Sequence, residues 1–294
     1  MSIYLTGSTG FIGKNLIDCF DKRYSISTFS RNSEIVINED VVIHLAGIAH
    51  DLKNVYNPDE YYKVNTDLTK NIFDAFINSN AKVFIFISSV KAVADVVNGE
   101  LTEEEIPNPG THYGKSKLLA EKYILSKDIP KGNRVYILRP CMIHGPGNKG
   151  NLNLLYNLVS KGLPWPLGMF ENSRSYLSIE NFCFIIEELI CREDIPSGVY
   201  NVADDVPLST IDLIRLMAES NGEIVKITNL SIVFIRFLAH LGDFFKLPFN
   251  SERLQKLTES YVVCNAKIKG VLVKPLPLST RQGLINTFNS FSKN

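Results

Sequence analysis

The feature that most constrains the fold of this chain is a set of three glycines close to its start. Gly7, Gly10 and Gly13 have the spacing G-x-x-G-x-x-G and lie between an apolar segment, residues 3–6, and an amphipathic segment that begins at Asn15. Such a turn suits a diphosphate, because glycines allow close backbone approach and a helix N-terminus offers N–H groups at its positive dipole end. The sequence therefore predicts a strand, turn and helix that bind a dinucleotide, with a glycine-rich turn without ligand as the alternative.

Charge balance and cysteine content argue against several function classes. The chain carries 31 basic and 31 acidic side chains, and zero formal charge does not suit a protein that binds nucleic acid through a basic field. Its five cysteines contain no C-x-x-C pair, which predicts buried free thiols in a reducing cytoplasm and no metal site. A strand at residue 3 leaves no room for a signal peptide, and no apolar run reaches about 20 residues, so a cytoplasmic location is expected.

The end of the second predicted strand bears on the choice of cofactor. Arg31 follows an apolar segment, residues 24–29, at the position where a dinucleotide fold contacts the ribose. An acidic residue there would accept a hydrogen bond from the 2′-hydroxyl of NAD, whereas an arginine can pair with the 2′-phosphate of NADP. Arg31 therefore favours NADP(H), and an exposed arginine without a ligand is the alternative.

The connection to the next strand is too short for a standard crossover. The apolar segment 41–46 follows Arg31 after only residues 32–40, whereas a parallel crossover usually takes a dozen or more residues and includes a helix. Residues 35–37 could pair as an edge strand, but 38–40 could not then return across the sheet. The sequence therefore predicts a doubly wound parallel sheet that lacks a full third strand and leaves the adenine end open.

Periodicity after residue 58 divides the chain into two interleaved parts. Residues 1–147 and about 176–204 are predicted to form the cofactor-binding domain, and about 148–175 and 205–294 a small substrate-binding lobe. The helical and strand patterns that support this are helix 59–78, strand 81–87, helix 113–126, strand 135–138, helix 151–161, strand and helix 176–190, strand 198–203 and helix 209–221.

Tyr113 and Lys117 form the most informative pair after the glycines. Residues four apart share a helix face, so the Lys117 ammonium can lie near the Tyr113 phenol and stabilise its phenolate. A tyrosine with an ordinary pKa near 10 serves as a base at neutral pH only with such a neighbour. Ser89, at the end of a predicted strand, could bond the same substrate oxygen. This pattern indicates proton and hydride chemistry, although a Tyr-x-x-x-Lys pair also occurs on ordinary surfaces.

These motifs resemble those of one enzyme family over nearly the whole chain. They occur in the order Gly7-Ser-Thr-Gly-Phe-Ile-Gly13, His44-Leu-Ala-Gly47, Ile87-Ser-Ser89, Tyr113-Gly-Lys-Ser-Lys117, Arg139-Pro-Cys-Met-Ile-His-Gly-Pro-Gly147, Arg174-Ser-Tyr-Leu-Ser-Ile and Gly198-Val-Tyr-Asn-Val-Ala-Asp. The sequence is similar to extended short-chain dehydrogenase/reductases, specifically nucleotide-sugar epimerases and dehydratases.

The resemblance implies roles for particular residues. Ser89, Tyr113 and Lys117 would be the catalytic set, and Asn151 and Arg174 would contact the diphosphate of a nucleotide sugar. Lys91 would also bind the substrate. A homodimer would form through the helices around residues 60–78 and 113–126. The implied NAD(P)(H) contacts are Gly7, Thr9, Gly10, Phe11, Ile12, Gly13, Arg31, Leu45, Ala46, Gly47, Tyr113, Lys117 and Pro140.

Departures from the family pattern narrow the implied reaction. Dehydratases carry an Asp-Glu pair after the catalytic hydroxyl residue, where this chain has Val90 and Lys91, which argues against dehydration. The remaining segments look most like 4-epimerases of UDP-N-acetylhexosamines in surface-polysaccharide synthesis, or NADPH-dependent reductases of 4-keto-6-deoxy-N-acetylhexosamines. His144 replaces the tyrosine that usually precedes Gly-Pro in the family. Its side chain could serve either in packing or in catalysis. The alternative to an enzyme is a non-catalytic protein of the same fold that senses a dinucleotide.

The segment 231–247 is apolar on most sides and has two interpretations. It can be a helix buried against the second lobe, or an interfacial helix that rests on a membrane. The second would suit relatives that epimerise sugars linked to a polyprenyl diphosphate and that carry an apolar segment at this place.

Overall fold

The structure, a computed structural model that describes residues 1–30, 34–48, 57–148, 150–247 and 249–291, contains one six-stranded parallel sheet and two short strand pairs. The sheet has the order β2-β1-β3-β4-β6-β9, and the short pairs are β5 with β10 and β7 with β8. The strands are β1 Ser2–Thr6, β2 Ser25–Thr28, β3 Val41–His44, β4 Val83–Ile87, β5 Glu100–Leu101, β6 Arg134–Pro140, β7 Met142–His144, β8 Tyr176–Ser178, β9 Gly198–Val202 and β10 Val262–Val263.

Helices cover both faces of this sheet and build the second lobe. A π-helical segment, Tyr62–Asp67, separates two of them, and a short 3₁₀ turn, Val90–Ala92, follows β4. The helices are α1 Phe11–Phe20, α2 Pro58–Tyr61, α3 Leu68–Ile77, α4 His112–Leu125, α5 Asn151–Val159, α6 Ile179–Cys191, α7 Thr210–Ser220, α8 Ile232–Phe244, α9 Ser251–Thr258, α10 Ala266–Leu272 and α11 Thr280–Phe291. The single α-helix expected over 59–78 is thus wrong in its middle, where the backbone widens into the π turn.

The prediction of a missing third strand is confirmed for the part of the connection that the structure describes. No strand occurs in residues 29–30 or 34–40, and the sheet ends at β2. The Ser2–Thr6 strand pairs with β2 on one side and directly with β3 on the other, with Ile3 opposite both Ile26 and Val41. Strand order therefore reverses at β1, which opens a crevice at the carboxyl ends of β1 and β3, the usual ligand position in such sheets.

Apolar side chains form three buried clusters. One lies between the sheet and the side of α1 and α6, and a second lies between the sheet and the side of α3 and α4, which accounts for the doubly wound arrangement. The third lies away from the sheet, where α5, α7, α8 and α11 meet around Met217 and Phe288. Residues 261–263 and α10 pack with the first cluster, so the C-terminal part contributes to both cores.

Helix α8 is not buried on all sides. Its inward contacts come from Ile235, Ala239 and Gly242, whereas four of its phenylalanine and valine side chains are exposed. The simple buried-helix interpretation is therefore wrong. Across the residues that the structure describes, no helix combines the length and apolar character needed to cross a bilayer.

The cysteines differ in part from the expectation of buried thiols. All five are free, and Cys141 and Cys183 are buried as predicted. Cys19 and Cys191, however, are exposed because they lie on the outward sides of α1 and α6, whereas their neighbours Phe20 and Ile190 are buried in the core.

Candidate active site

The glycine turn between β1 and α1 has the backbone proximity that a diphosphate site needs. Gly7 has φ +74°, and a Cβ built on it would lie 2.8 Å from the Ala46 nitrogen. A Cβ on Gly13 would lie 2.3 Å from the Gly7 oxygen. Any side chain at these two positions would push the turn away from β3 or from the helix, which explains the glycines.

Gly10 leaves the outer side of the turn open. It is exposed, and a Cβ there would meet only the Gly7 oxygen, at 3.3 Å. Gly10 is also the N-cap of α1, and within the described chain no side chain caps this helix and no acidic residue occupies its first turn. The turn therefore presents helix N–H groups on its open side, and it fits a dinucleotide diphosphate.

The loop after β3 is held against α4 by a buried asparagine of the π-helical segment. The Oδ1 atom of Asn65 accepts from the Ile48 N–H at 2.7 Å, and its Nδ2 donates to the Ile48 carbonyl and to the Ser116 hydroxyl. A Cβ on Gly47 would lie 2.9 Å from Asn65 Oδ1 and 3.2 Å from Lys117 Nζ. Asn65 thus places the Gly47 loop directly beside Lys117, in the kind of widened turn that often occurs at functional sites.

His44 links this loop to the glycine turn in a single protonation state. Thr69 Oγ1 donates to the Asn65 carbonyl, so it can only accept from His44 Nε2, at 2.8 Å. His44 Nδ1 then accepts from the hydroxyl of Thr6, 2.6 Å away, whose oxygen accepts the Ala46 N–H. Burial, with a smaller contribution from Lys117, lowers the pKa of His44 to about 3, so the neutral imidazole persists at physiological pH.

Two adjacent serines at the end of β4 face different partners. Ser88 donates to Glu121 Oε1 at 2.5 Å, inside the protein. Ser89 caps the 3₁₀ turn through its bond with the Lys91 N–H, and it also forms a side-chain hydrogen bond with Tyr113. Ser89 and Tyr113 are thus close enough together to contact one substrate oxygen, as the sequence predicts.

Close packing fixes where Tyr113 lies. A Cβ on Gly114 would lie 2.3 Å from the Lys91 carbonyl, so only glycine lets α4 approach the 3₁₀ turn this closely. Thr111 caps α4 by accepting the Gly114 N–H, and Asp95 holds the preceding loop through the Gly110 N–H at 2.6 Å. These contacts bring the start of α4 beside Ser89.

The pKa of Tyr113 departs from the expectation drawn from the Tyr-x-x-x-Lys spacing. Burial raises it, the Ser89 hydrogen bond lowers it by less, and Tyr61 raises it further. The Lys117 ammonium instead donates to the Ile87 carbonyl at 2.9 Å and lies over the Phe86 ring. In this arrangement the Tyr113 phenol is a weaker acid than free tyrosine. The Lys117 ammonium faces the Gly47 loop.

Lys117 is itself deeply buried, and a buried ion pair lies one helical turn further along. Burial lowers the pKa of Lys117 to about 8, and the Glu121 carboxylate counteracts this shift. Glu121 also pairs with Arg139 of β6, with Oε2 2.6 Å from Nη2 and further bonds to Nε. Glu121 thus connects Ser88, Arg139 and the surroundings of Lys117.

Lys91 and Arg174, which are predicted to bind substrate, lie close enough for the charge of Arg174 to affect the pKa of Lys91. Lys91 Nζ is 4.1 Å from the centre of the Tyr261 ring and donates to the Asp95 carbonyl. Burial lowers the pKa of Lys91, and both Arg174 and Glu259 act on it. Arg174 lies 3.6 Å from Glu259 and donates to the Lys256 carbonyl. This cluster therefore contains the cations Lys91, Arg174 and Lys256 together with the acidic Glu259 and Asp95.

His144 packs between the two lobes. It is fully buried, and since Thr287 Oγ1 donates to the Gly283 carbonyl, it accepts from His144 Nδ1 at 2.8 Å. The other ring nitrogen lies 3.8 Å from Asp204 Oδ2. These contacts favour the packing interpretation of His144.

The structure brings most of the predicted residues to the carboxyl edge of the sheet. Gly7 contacts the 45–46 backbone, Gly47 approaches Lys117, and Tyr113 bonds Ser89. Pro140 ends β6 at the same edge, and Phe11 approaches Gly145. Arg31 lies outside the described residues, as does the side chain of Asn151, the first residue of α5.

Sequence reasoning missed Asn65, Glu121, Tyr261 and Glu259. Asn65 gave a faint signal as a polar residue on an otherwise apolar helical stripe, and Glu121 as the next i+4 position after Lys117. Tyr261 and Glu259 gave none, since they reach the site from a distant part of the chain.

Comparison with known proteins assigns the family. A profile of the 3-beta hydroxysteroid dehydrogenase/isomerase family matches residues 24–231, more than half of the chain. The chain belongs to this family. The predicted membership of the extended short-chain dehydrogenase/reductases is thereby confirmed, as is its assignment as an NAD(P)-dependent enzyme with sugar-nucleotide epimerase and reductase homologues.

Two curated relatives show the range of this family. A UDP-glucose 4-epimerase of Vibrio cholerae is 34% identical over 250 residues, which cover 74% of this chain and 75% of the relative. An N-acetyl-alpha-D-glucosaminyl-diphospho-ditrans,octacis-undecaprenol 4-epimerase of Escherichia coli O157:H7 is 25% identical over 292 residues, covering 91% of this chain and 84% of the relative.

Solved structures share the fold. MoeE5 in complex with UDP-glucose and NAD superposes with a TM-score of 0.76 at 18% identity, covering 100% of this chain and 99% of MoeE5. RMD from Pseudomonas aeruginosa complexed with NADPH gives 0.75 at 21% identity and covers 99% of each chain. Structural neighbours thus bind NAD or NADPH, and the Rossmann-type fold prediction is confirmed.

Proposed function

We propose that this enzyme transfers hydride at C4 of a nucleotide-diphosphate sugar, and that it is a UDP-N-acetylhexosamine 4-epimerase of surface-polysaccharide synthesis. The observation that carries the proposal is the Ser89–Tyr113 hydrogen bond, beside Lys117 and next to a turn that fits a dinucleotide diphosphate. The Val90-Lys91 sequence after Ser89 supports C4 chemistry without dehydration, because no acid–base pair follows the serine.

Each catalytic side chain has one proposed role, although the raised pKa of Tyr113 must fall when cofactor and substrate occupy the site. Tyr113 takes the proton of the sugar 4-hydroxyl and returns it, and Ser89 orients the same oxygen through its hydrogen bond. Lys117 keeps a positive charge beside the Gly47 loop, which favours the phenolate when the site is filled. The bound nicotinamide cofactor supplies the hydride acceptor and donor.

Lys91 and Arg174 are proposed to hold the substrate diphosphate, together with Asn151. Arginine pairs well with phosphate oxygens, and the burial of Lys91 weakens its hydration, so both gain from an anionic ligand. Arg174 would exchange its present partner, the Glu259 carboxylate, for the diphosphate.

Cofactor choice separates the epimerase from a 4-ketoreductase. Arg31 favours NADP(H), which a reductase consumes, whereas an epimerase returns the hydride and needs no added cofactor. The purified enzyme is incubated with UDP-GlcNAc and, separately, with UDP-glucose without added cofactor, and products are identified by NMR. Appearance of the C4 epimer in these reactions, without a change in NADPH absorbance, supports the epimerase. If no epimer forms, and NADPH is consumed in a separate reaction to which NADPH and a UDP-4-keto sugar are added, the result supports the reductase.

Tyr113→Phe distinguishes an enzyme from a dinucleotide sensor. The variant should lose turnover while it still binds NAD(P)H, because it loses only the phenol oxygen. Tyr24→Phe serves as the control, since Tyr24 bonds Glu187 and Cys191 far from the glycine turn. Undiminished turnover in Tyr113→Phe would contradict the catalytic assignment.

A sugar linked to a polyprenyl diphosphate is the second candidate substrate. The Escherichia coli relative named for such a substrate matches 91% of this chain, including the α8 region, and the exposed apolar face of α8 suits contact with a membrane. Activity on an undecaprenyl-diphosphate sugar in detergent, and none on UDP-sugars, would favour this substrate.

A homodimer remains a proposal. Leu119 and Leu125 of α4 are exposed on one of the two helices expected at the interface. Light scattering after gel filtration tests it, and a monomer would contradict it.

A further inference from the structure

Helix α8 and the turn after it expose an unusual amount of apolar surface. Phe234 is 49% exposed, Phe237 57%, Phe244 80% and Phe245 62%. Around them lie further exposed apolar side chains, namely Val233, Leu238, Leu241, Leu247 and Phe249. Single exposed apolar residues are common, but a contiguous group of them marks a surface that a membrane or another molecule covers.

These side chains occupy the outward side of the helix. At 100° per residue, the buried Ile235, Ala239 and Gly242 fall on one narrow stripe, which packs on α9 and its preceding turn. Phe237 and Phe244 fall almost opposite that stripe. A surface helix normally carries polar residues there, so α8 is unusual in being apolar on its outward side as well as on its buried side.

Positive charge accompanies this apolar face. Residues 226–258 contain five basic and two acidic side chains, in a chain whose formal charge as a whole is zero. Exposed Arg236 lies on the flank of α8, exposed Lys246 follows its end, and exposed Arg253 lies on α9. Aromatic and leucine side chains bordered by Lys and Arg are the composition of helices that lie in a membrane interface with anionic lipid.

Helix α9 lies between α8 and the predicted diphosphate site. Helix α9 packs on α8, and its Lys256 carbonyl accepts a hydrogen bond from Arg174. Arg236 and His240 of α8 line a cleft together with Phe170 and residues of α9. A bilayer on the α8 face would therefore touch the lobe that holds Arg174.

We propose that the outward face of α8 and the turn 245–247 dock on an anionic lipid bilayer. The phenylalanines enter the boundary between headgroups and acyl chains, and Arg236, Lys246 and Arg253 contact lipid phosphates. Docking brings the lobe that contains Arg174 to the membrane, where a lipid-linked or membrane-delivered sugar diphosphate would be found. It does not depend on which sugar the enzyme converts.

Vesicle sedimentation tests the docking with the full chain. Wild-type protein is spun with sucrose-loaded vesicles of phosphatidylcholine alone and of phosphatidylcholine with phosphatidylglycerol. We expect binding to the anionic vesicles, and at least a tenfold lower partition coefficient for Phe234→Ser/Phe237→Ser/Phe244→Ser. The matched control, Val36→Ser/Ile106→Ser/Ile224→Ser, replaces three apolar residues that are exposed elsewhere and should bind as wild type does. Arg236→Glu/Lys246→Glu should weaken binding to the anionic vesicles, and added salt should do the same.

Each other outcome overturns the proposal. Absence of wild-type sedimentation with anionic vesicles refutes it, as does equal binding by the phenylalanine and control variants. A dimer that dissociates in the phenylalanine variant, without vesicle binding by wild type, would assign the face to a second copy of the chain. Turnover of a water-soluble UDP-sugar without vesicles is measured in parallel and should not change in the phenylalanine variant, so failure of docking and failure of the proposed reaction are distinguishable.

Discussion

The buried ammonium of Lys117 makes a quantitative prediction about stability and pH. Burial lowers its pKa from 10.5 to about 8. The folded protein therefore releases this proton near pH 8, whereas the unfolded chain holds it to about pH 10.4. Between these values the unfolded state binds more protons, so the contribution of Lys117 to stability rises with pH. Below pH 8 the full cost of burying the charge is present, at about 3 kcal/mol.

Lys117→Met removes this titration and keeps a side chain of similar length. We expect the free energy of unfolding of the wild type to rise, relative to Lys117→Met, by about 2 kcal/mol between pH 7 and pH 10. Urea unfolding followed by circular dichroism at four pH values measures the difference, and other titrating groups cancel in it. Lys115→Met is the control, because Lys115 is exposed on the same helix and its difference from wild type should stay flat. A difference for Lys117→Met that is constant from pH 7 to pH 10 would refute the reasoning.

Three further predictions concern the contacts that build the site. Gly13→Ala places a Cβ 2.3 Å from the Gly7 oxygen, so the free energy of unfolding should fall by about 1–3 kcal/mol and NADH fluorescence titration should show weaker binding. The control, Gly270→Ala, lies in helix α10 with open space around it, so it should leave NADH binding unchanged and raise the free energy of unfolding by about 0.5–1 kcal/mol. Glu121→Gln should lower the free energy of unfolding in urea by about 3–5 kcal/mol, because it leaves the buried Arg139 guanidinium without its carboxylate. The double variant Glu121→Leu/Arg139→Leu should lose less stability than the sum of the losses of its two single variants. Additive losses would contradict the pairing. The pKa of His44, lowered to about 3, means that the wild type loses stability as pH falls from about 6.5 toward 3, whereas His44→Leu should be less acid-sensitive; equal acid sensitivity would argue against a neutral buried imidazole.

Local patterns were sufficient to predict the sheet and the places of Ser89 and Tyr113 at its edge. The strand at residues 3–6, the glycine turn and the short connection before Val41 each depend on neighbouring residues, so the parallel sheet without a third strand could be predicted from spacing alone. Ser89 and Tyr113 were predictable for the same reason, since each lies at the end of a clear strand or helix.

Contacts between distant segments could not be predicted in the same way. Tyr261 reaches Lys91 from 170 positions further along the chain, and the partners of Asn65 come from two other segments. The direction of the Tyr113 pKa depends on burial, which spacing does not reveal. The apolar pattern of α8 suits either a buried or an exposed helix, and only its packing on α9 separates these possibilities.

Residues 261–263 are synthesised late, so the parts of the enzyme that contact them must fold late in synthesis. The Tyr261 hydroxyl bonds the carbonyls of Val90 and Ala94, and β10 pairs with β5, so the wall beside Ser89 is completed by residues translated long after it. The glycine turn, in contrast, needs only the first strands and α1. A nascent chain can therefore form its glycine turn early, while the wall around Tyr261 forms only after residue 263 has left the ribosome.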